Sequence, residues 1–375
     1  MHPVKATAAA VTAVVGAGAA AVAAGRLASD AALKAPAGRP LPTEPRLTVH
    51  GTAAGRITLT RDLASLRPGT YGLAGDGSHA VVGPVVEAAA RSADTVVRRL
   101  ERVTHGTLSQ GDKVWLTPNV YVGNPDAALG LEYADVDIPG ELGPLPAWFV
   151  PGARDTWVIA VHGLGTTREL TLNVMEFLHR HRFSVLALSY RGDLGAPRPQ
   201  DGLNHLGESE WRDLDAAMRY AVRYGAERLV LYGWSTGATM ALRAAAHSGL
   251  RERAVGLVLD SPVLSWETTL RALAAARRTP GPLLPLAVRA AQGRTGMNSH
   301  SDDEPADPGL LRIPALIFHG PEDTVAPWAL SRDLVRRRPD LVTLQTVPGA
   351  PHGAMWNADP TAYEEALRRF LVPLM

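Results

Sequence analysis

The sequence predicts an α/β protein: a mostly parallel, twisted sheet with helices on both faces, a short helical lid and a small β-rich N-terminal region. Three observations predict it. From Leu131 onward, apolar runs of strand length alternate with segments of helical periodicity, the pattern of βαβ units. One such run, Leu229 to Tyr232, enters Gly233-Trp234-Ser235-Thr236-Gly237 and leaves it as an Ala- and Leu-rich helix reaching about His247. Upstream, short turn-bounded runs dominate instead.

Taken in order, residues 1–34 form a hydrophobic N-terminal segment. Between Lys5 and Arg26 lie 20 uncharged residues, 11 Ala, 4 Val, 3 Gly and 2 Thr. That length fits a single membrane anchor. Lys5 and Ala21-Val22-Ala23 also fit a cleaved export signal, and the composition fits an Ala-rich tail. The expected location is therefore membrane-anchored or exported, with too little charge asymmetry to set an orientation. Gly16, Gly18 and Gly25 follow no strand, so they make no dinucleotide fingerprint. Residues 35–45, with Pro36, Pro40, Pro42 and Pro45, read as a linker.

Residues 46–130 are the least legible. Arg56 to Arg61 alternates like a strand, as do Lys113 to Thr117 and Asn119 to Gly123, while Val85 to Val103 reads as largely helical. No chemistry stands out, and His79 and His105 read as surface residues without companion ligands at metal spacing.

The remaining chain, 131–375, forms one domain. Leu131 to Ile138 and Leu145 to Gly152 make an antiparallel hairpin. Strands follow at Thr156 to Val161, Phe183 to Ser189, Leu229 to Tyr232, Val255 to Leu259, Ala315 to Phe318 and Val342 to Val347, separated by helical patterns. A segment at about 262–310 carries the expected lid.

Composition narrows the chemistry. Charged residues are 20% and balanced to a net +1, which gives no electrostatic footprint for nucleic acid. The absence of cysteine excludes disulfides, thiolate catalysis and Cys-based zinc sites. Gly-x-Ser-x-Gly between strand and helix is a nucleophile elbow, in which a tight turn exposes a strained serine, here Ser235. A serine hydroxyl then needs an adjacent base.

The motifs around it resemble the α/β-hydrolases: His162-Gly163-Leu164-Gly165 after a strand, Ser189-Tyr190-Arg191-Gly192-Asp193 after the next, Asp323 in the loop from Gly320 to Pro327, and His352 between Pro351 and Gly353. Within that superfamily the chain is most similar to small-lid members with serine aminopeptidase-like or lysophospholipase-like domains. The resemblance implies a Ser235–His352–Asp323 triad, an oxyanion hole from the Leu164 and Thr236 amides, and an esterase or lipase-like reaction through an acyl-enzyme. Peptidase and thioesterase chemistry use the same triad. A non-catalytic, membrane-associated hydrolase-fold binding protein is the alternative of another class. The expected partner is a small-molecule or lipid-like acyl substrate, with no metal or organic cofactor.

Other residues compete for roles. Asp260, at the end of its strand, is an alternative acid. His162 reads as an organiser of the oxyanion loop and His319, at the end of its strand, as a packed or loop histidine. Arg191 and Asp193 face the entrance by position, where substrate contact and a salt bridge within the turn compete, and Arg168 starts the helix after the oxyanion loop, with contact to a substrate carboxylate as its lesser alternative. His300, Asp302, Asp303 and Glu304 read as a solvated acidic loop. Trp234, Arg191 and Trp266 are the candidate substrate-binding side chains, with Leu264, Leu283 and Leu284 available from the lid.

Overall fold

The computed structural model describes residues 22–30, 32–36, 38–87, 93–297, 307 and 309–375. Its main body is an eight-stranded sheet ordered β14-β13-β12-β11-β9-β10-β8-β7. The hairpin β7 (Ala134–Pro139) and β8 (Pro144–Val150) forms one edge, antiparallel to the rest. Strands β9 (Thr156–Val161), β10 (Ser184–Leu188), β11 (Arg228–Trp234), β12 (Ala254–Asp260), β13 (Ala315–His319) and β14 (Val342–Thr346) run parallel. Alternate residues of these strands feed two cores. Ile159, Leu231 and Leu257 face helices α4 (Trp211–Arg223) and α5 (Thr236–His247). Val158, Val230 and Val258 face α3 (Leu172–Arg180) and α10 (Pro360–Leu371). Strands covered on both faces are therefore apolar throughout, as in the fully buried β9.

The N-terminal β-rich region closes on itself. Strands β1 (Leu47–Ala53), β2 (Arg56–Thr60), β5 (Thr95–His105), β4 (Ser78–Val85), β3 (Tyr71–Gly75) and β6 (Lys113–Thr117) form a closed barrel in that order. The helix expected over 85–103 is not there. Val96 and Arg98 of β5 point into the barrel with period two and pair with β2 and β4. An inward arginine disguised the strand. Arg98 is fully buried and donates to four carbonyls, of Gly83, Ser65, Arg67 and Gly69, which satisfies a charge that would otherwise be costly to bury. Asn119 to Gly123 is also not a strand; Val120 instead seats in the sheet-domain core that faces α3 and α10.

The barrel is clamped to the sheet domain by two asparagines. Asn173 of α3 donates to the Pro118 carbonyl and accepts from the Val120 amide. Asn357, on the short helix α9 (Met355–Ala358), donates to the carbonyls of Thr70 and Pro118.

Most of the candidate anchor or signal, residues 6–25, lies outside the described residues. Among those described, no helix is long and apolar enough to cross a membrane. Helix α1, at residues 22–30 and 32–33, docks on the domain: Ala28, Ala32 and Leu33 bury against Leu270, Leu273 and Val288, and Arg294 bonds Asp30 and Ser29. The proline-rich stretch is likewise no free linker. It runs as a strap over the sheet domain, with the Gly38 amide on the Gly165 carbonyl and Glu44 gripping Arg67.

Candidate active site

Ser235 sits at the turn between β11 and α5 with φ 54° and ψ −117°, a left-handed backbone that costs energy for a side-chain-bearing residue. The flanking glycines permit it. A Cβ on Gly233 would lie 2.2 Å from the Gly237 carbonyl oxygen, and one on Gly237 would lie 2.3 Å from that of Val161. The hydroxyl faces His352: Oγ to Nε2 is 2.7 Å. On the other side of the ring, His352 Nδ1 is 2.7 Å from Asp323 Oδ2. The three residues come from loops at the C-terminal ends of β11, β13 and β14, where an open parallel sheet gathers its site.

Asp323 is completely buried, yet it is well supplied with donors. Oδ1 accepts from the amides of Val325 and Ala326, both at 2.8 Å. Oδ2 faces His319 Nε2 at 3.1 Å as well as His352. Burial pushes the carboxyl up, but its electrostatic and hydrogen-bond interactions with His352 and His319 outweigh it and hold the group well below the usual carboxylate range. His319 is in turn held by Ser331 at 2.8 Å. Its part in holding the acid escaped the sequence reading, although a histidine ending a strand four residues before Asp323 carried the signal.

Asp260 takes another place. It is buried behind the serine, with Oδ1 accepting from Ser261 Oγ at 2.9 Å and Oδ2 from Tyr363 at 3.2 Å. Burial raises it to about 7, against those two hydrogen bonds. It touches His352 only indirectly, because Ser261 Oγ also accepts from the Gly353 amide.

The loop after β9 lies directly against Ser235. A Cβ on Gly163 would be 2.5 Å from that of Ser235. The loop is held by His162, whose ring stacks on Tyr190 at 4.6 Å and lies 2.7 Å from Asp193 Oδ2. Asp193 also accepts from the Tyr190 amide, so it organises the turn. Thr236 opens α5, where a first-turn N–H has no intrahelical acceptor and the helix dipole is positive. Leu164 follows Gly163 in the loop beside the serine.

Two expected substrate contacts fall elsewhere. Arg191 is buried and binds Asp213 through Nε and Nη2, with Glu141 as a further partner. Burial alone would lower it, but these carboxylates raise it and keep it charged. It ties the turn to α4 and does not face the serine. Trp266 opens α6 (Trp266–Ala276), and α6 and α7 (Leu284–Thr295) pack on one another and on α1. Trp266 is core to that cap because its apolar neighbours close over it. Trp234 does line the cavity beside Ser235, stacked on Tyr232 at 4.2 Å. The acidic loop at 300–304 lies outside the described residues, and no group of three metal-ligating side chains occurs among those described.

The cavity above Ser235 and His352 measures about 800 Å³. Its roof is neither α6 nor α7. The strap supplies Leu41, and the outer face of β3, β4 and β6 supplies Ala74, His79 and Trp115. His79 is buried, against the surface position expected for it, because it bonds the Asn119 carbonyl and stacks with His105 at 5.9 Å. Its burial lowers its basicity.

A parallel sheet with an elbow serine after β11 and loops after β13 and β14 that carry Asp323 and His352 is the α/β-hydrolase fold, and these three side chains form its candidate active site. Residues 152–306 match the family model described as serine aminopeptidase, S33, and residues 48–117 match a domain of unknown function, DUF8805. Among solved structures the chain is similar to the Pyrococcus furiosus esterase Pf2001, with a TM-score of 0.54 at 23% identity over 68% of this chain and 96% of that one. It is also similar to DcsB in complex with its substrate analogue, with a TM-score of 0.51 at 15% identity over 65% of this chain and 100% of the other. No curated protein matches the sequence.

Proposed function

We propose that the protein is a serine hydrolase that cleaves ester-like acyl bonds through an acyl-enzyme. The observation that carries the reading is the continuous relay Ser235 Oγ–His352–Asp323, with both links at 2.7 Å, ending in an elbow serine under backbone strain. His352 Nε2 takes the hydroxyl proton as Oγ bonds to the acyl carbon. The oxyanion so formed meets the amides of Leu164 and Thr236. On collapse, the same nitrogen returns the proton to the leaving alcohol. Water then attacks the acyl-enzyme with His352 again as base, and Ser235 is restored. Asp323 stays ionised and orients the ring throughout.

Esters come first because the Pyrococcus furiosus protein is named an esterase. Peptide and thioester substrates belong in the same assay panel. The test is fluorophosphonate labelling and turnover of short p-nitrophenyl esters, wild type beside Ser235→Ala. Labelling and turnover that both vanish in the variant support the reading. A folded wild type that neither labels nor turns over would favour the non-catalytic binding protein. The segment at 6–25 is proposed to bring the enzyme to a membrane or through it; recovery of the full chain only in the soluble, unexported fraction would remove that proposal.

A further inference from the structure

The cavity wall contributed by the barrel carries a charge arrangement that the reaction does not use. Three ion pairs or hydrogen-bonded carboxylates settle most of it. Arg67 is bridged to Glu44 at 2.7 and 3.2 Å, Arg39 lies 3.5 Å from Asp76, and Glu169 accepts from the Gly123 amide at 2.8 Å. Arg46 differs. It stands where the strap becomes β1, lines the same cavity as Ser235, and has no carboxylate partner among the described residues. Its guanidinium carbon lies 4.2 Å above the Trp115 ring. Among the described residues no hydrogen bond or ion pair engages its N–H groups, so they stay available beside the ring. Stacking restricts the side chain, so less rotamer freedom remains to be lost when these groups bind a ligand.

We propose that the site selects an ester whose acyl part carries a carboxylate remote from the scissile bond, and that Arg46 receives that carboxylate. This deepens the ester-hydrolase reading and rests on it. Two parallel N–H donors match two carboxylate oxygens, and the wall offers no other uncommitted cation of this kind among the described residues. The same wall disfavours the lipid-like substrate expected from the sequence. A long alkyl chain laid along it would desolvate the Glu44–Arg67 pair and the Arg46 charge without replacing their hydrogen bonds.

The experiment compares p-nitrophenyl half-esters of succinic, glutaric, adipic and suberic acids with neutral esters of equal chain length. In the wild type, kcat/KM for at least one half-ester exceeds that of its neutral partner. Arg46 is exposed, so the effect is that of a screened contact: in Arg46→Ala the charged-to-neutral ratio falls up to about fivefold, through KM. Arg46→Lys, which keeps the charge but not the fork, falls between. Added salt lowers the ratio in the wild type and not in the alanine variant. Fluorophosphonate labelling of each variant reports that Ser235 is still in a folded site. A wild type that prefers the neutral member of every pair, or an Arg46→Ala variant with an unchanged ratio, overturns the proposal while leaving the hydrolase reading intact. Absence of Ser235-dependent turnover of any ester overturns the reading beneath it.

Discussion

His319, at the end of β13, and His352, in the loop after β14, converge on one oxygen of Asp323, at 3.1 and 2.7 Å. The acid of the candidate relay is thus fixed by a second imidazole that makes no contact with Ser235. Its other oxygen is held by two amides, so the carboxylate cannot rotate without breaking several bonds. We class His319 as a positioning residue. His319→Ala should lower kcat on the order of 10²-fold, since a misplaced catalytic group costs about that much, with KM little changed. His319→Gln, able to donate to the same oxygen, should recover part of the loss. A variant with unchanged kcat, or equal damage from alanine and glutamine, would remove the role.

The two buried aspartates make opposite predictions. Asp323→Asn takes away the acceptor that sets the His352 tautomer and should cost about 10⁴-fold in kcat, the size of that change in the best-studied serine triad. Asp260→Asn keeps its two hydrogen-bonding neighbours, Ser261 and Tyr363, and should cost less than tenfold. Steady-state kinetics on one neutral ester decide it. The reverse order would move the acid to β12.

Asp260 should also shape the pH dependence of stability. Its folded carboxyl titrates at about 7, raised by burial, while an unfolded aspartate titrates near 3.9. Between those values the folded chain holds a proton that the unfolded chain releases. Stability from this group is therefore complete below about pH 4 and declines as pH rises to about 7, by at most ~4 kcal/mol. Asp323 runs the other way, because its lowered titration adds stability above about pH 4 that is lost in acid. Urea unfolding of Asp260→Asn at pH 5 and pH 8 should show a smaller loss across that interval than the wild type. Parallel profiles would refute the burial argument.

The sheet domain was legible because its strands are buried on both faces and read as unbroken apolar runs, as in Thr156 to Val161. The candidate relay was legible because a nucleophile elbow needs glycines at fixed places and its partners follow strands. The barrel was not. Its strands are short, one face of β3 and β4 is shared with the cavity, and Arg98 occupies an inward position where an apolar residue would have declared the strand. The cap misled for a related reason. Trp266 and its neighbours are apolar, and apolarity alone does not distinguish a cavity wall from a core that closes over itself. The strap defeated composition entirely, since four prolines in eleven residues suit a packed extended segment as well as a free linker.

The barrel's position should matter to substrate binding more than to chemistry. Asn357 donates to the Thr70 and Pro118 carbonyls, and Asn173 joins Pro118 to α3, so both hold the loop that follows β6. Asn357→Ala strips donors from buried carbonyls and should destabilise the fold by about 1–3 kcal/mol. The same change loosens the wall bearing Trp115 and His79, while Ser235, His352 and Asp323 stay on the sheet. KM for a bulky ester should therefore rise several-fold more than kcat falls, and the fluorophosphonate labelling rate at Ser235 should hold near the wild-type value. Pairing the change with Asn173→Ala should exceed the sum of the single effects, because each asparagine limits the motion the other would permit. A variant that loses labelling and turnover in step, with KM unmoved, would mean that the barrel supports the elbow rather than walls the cavity.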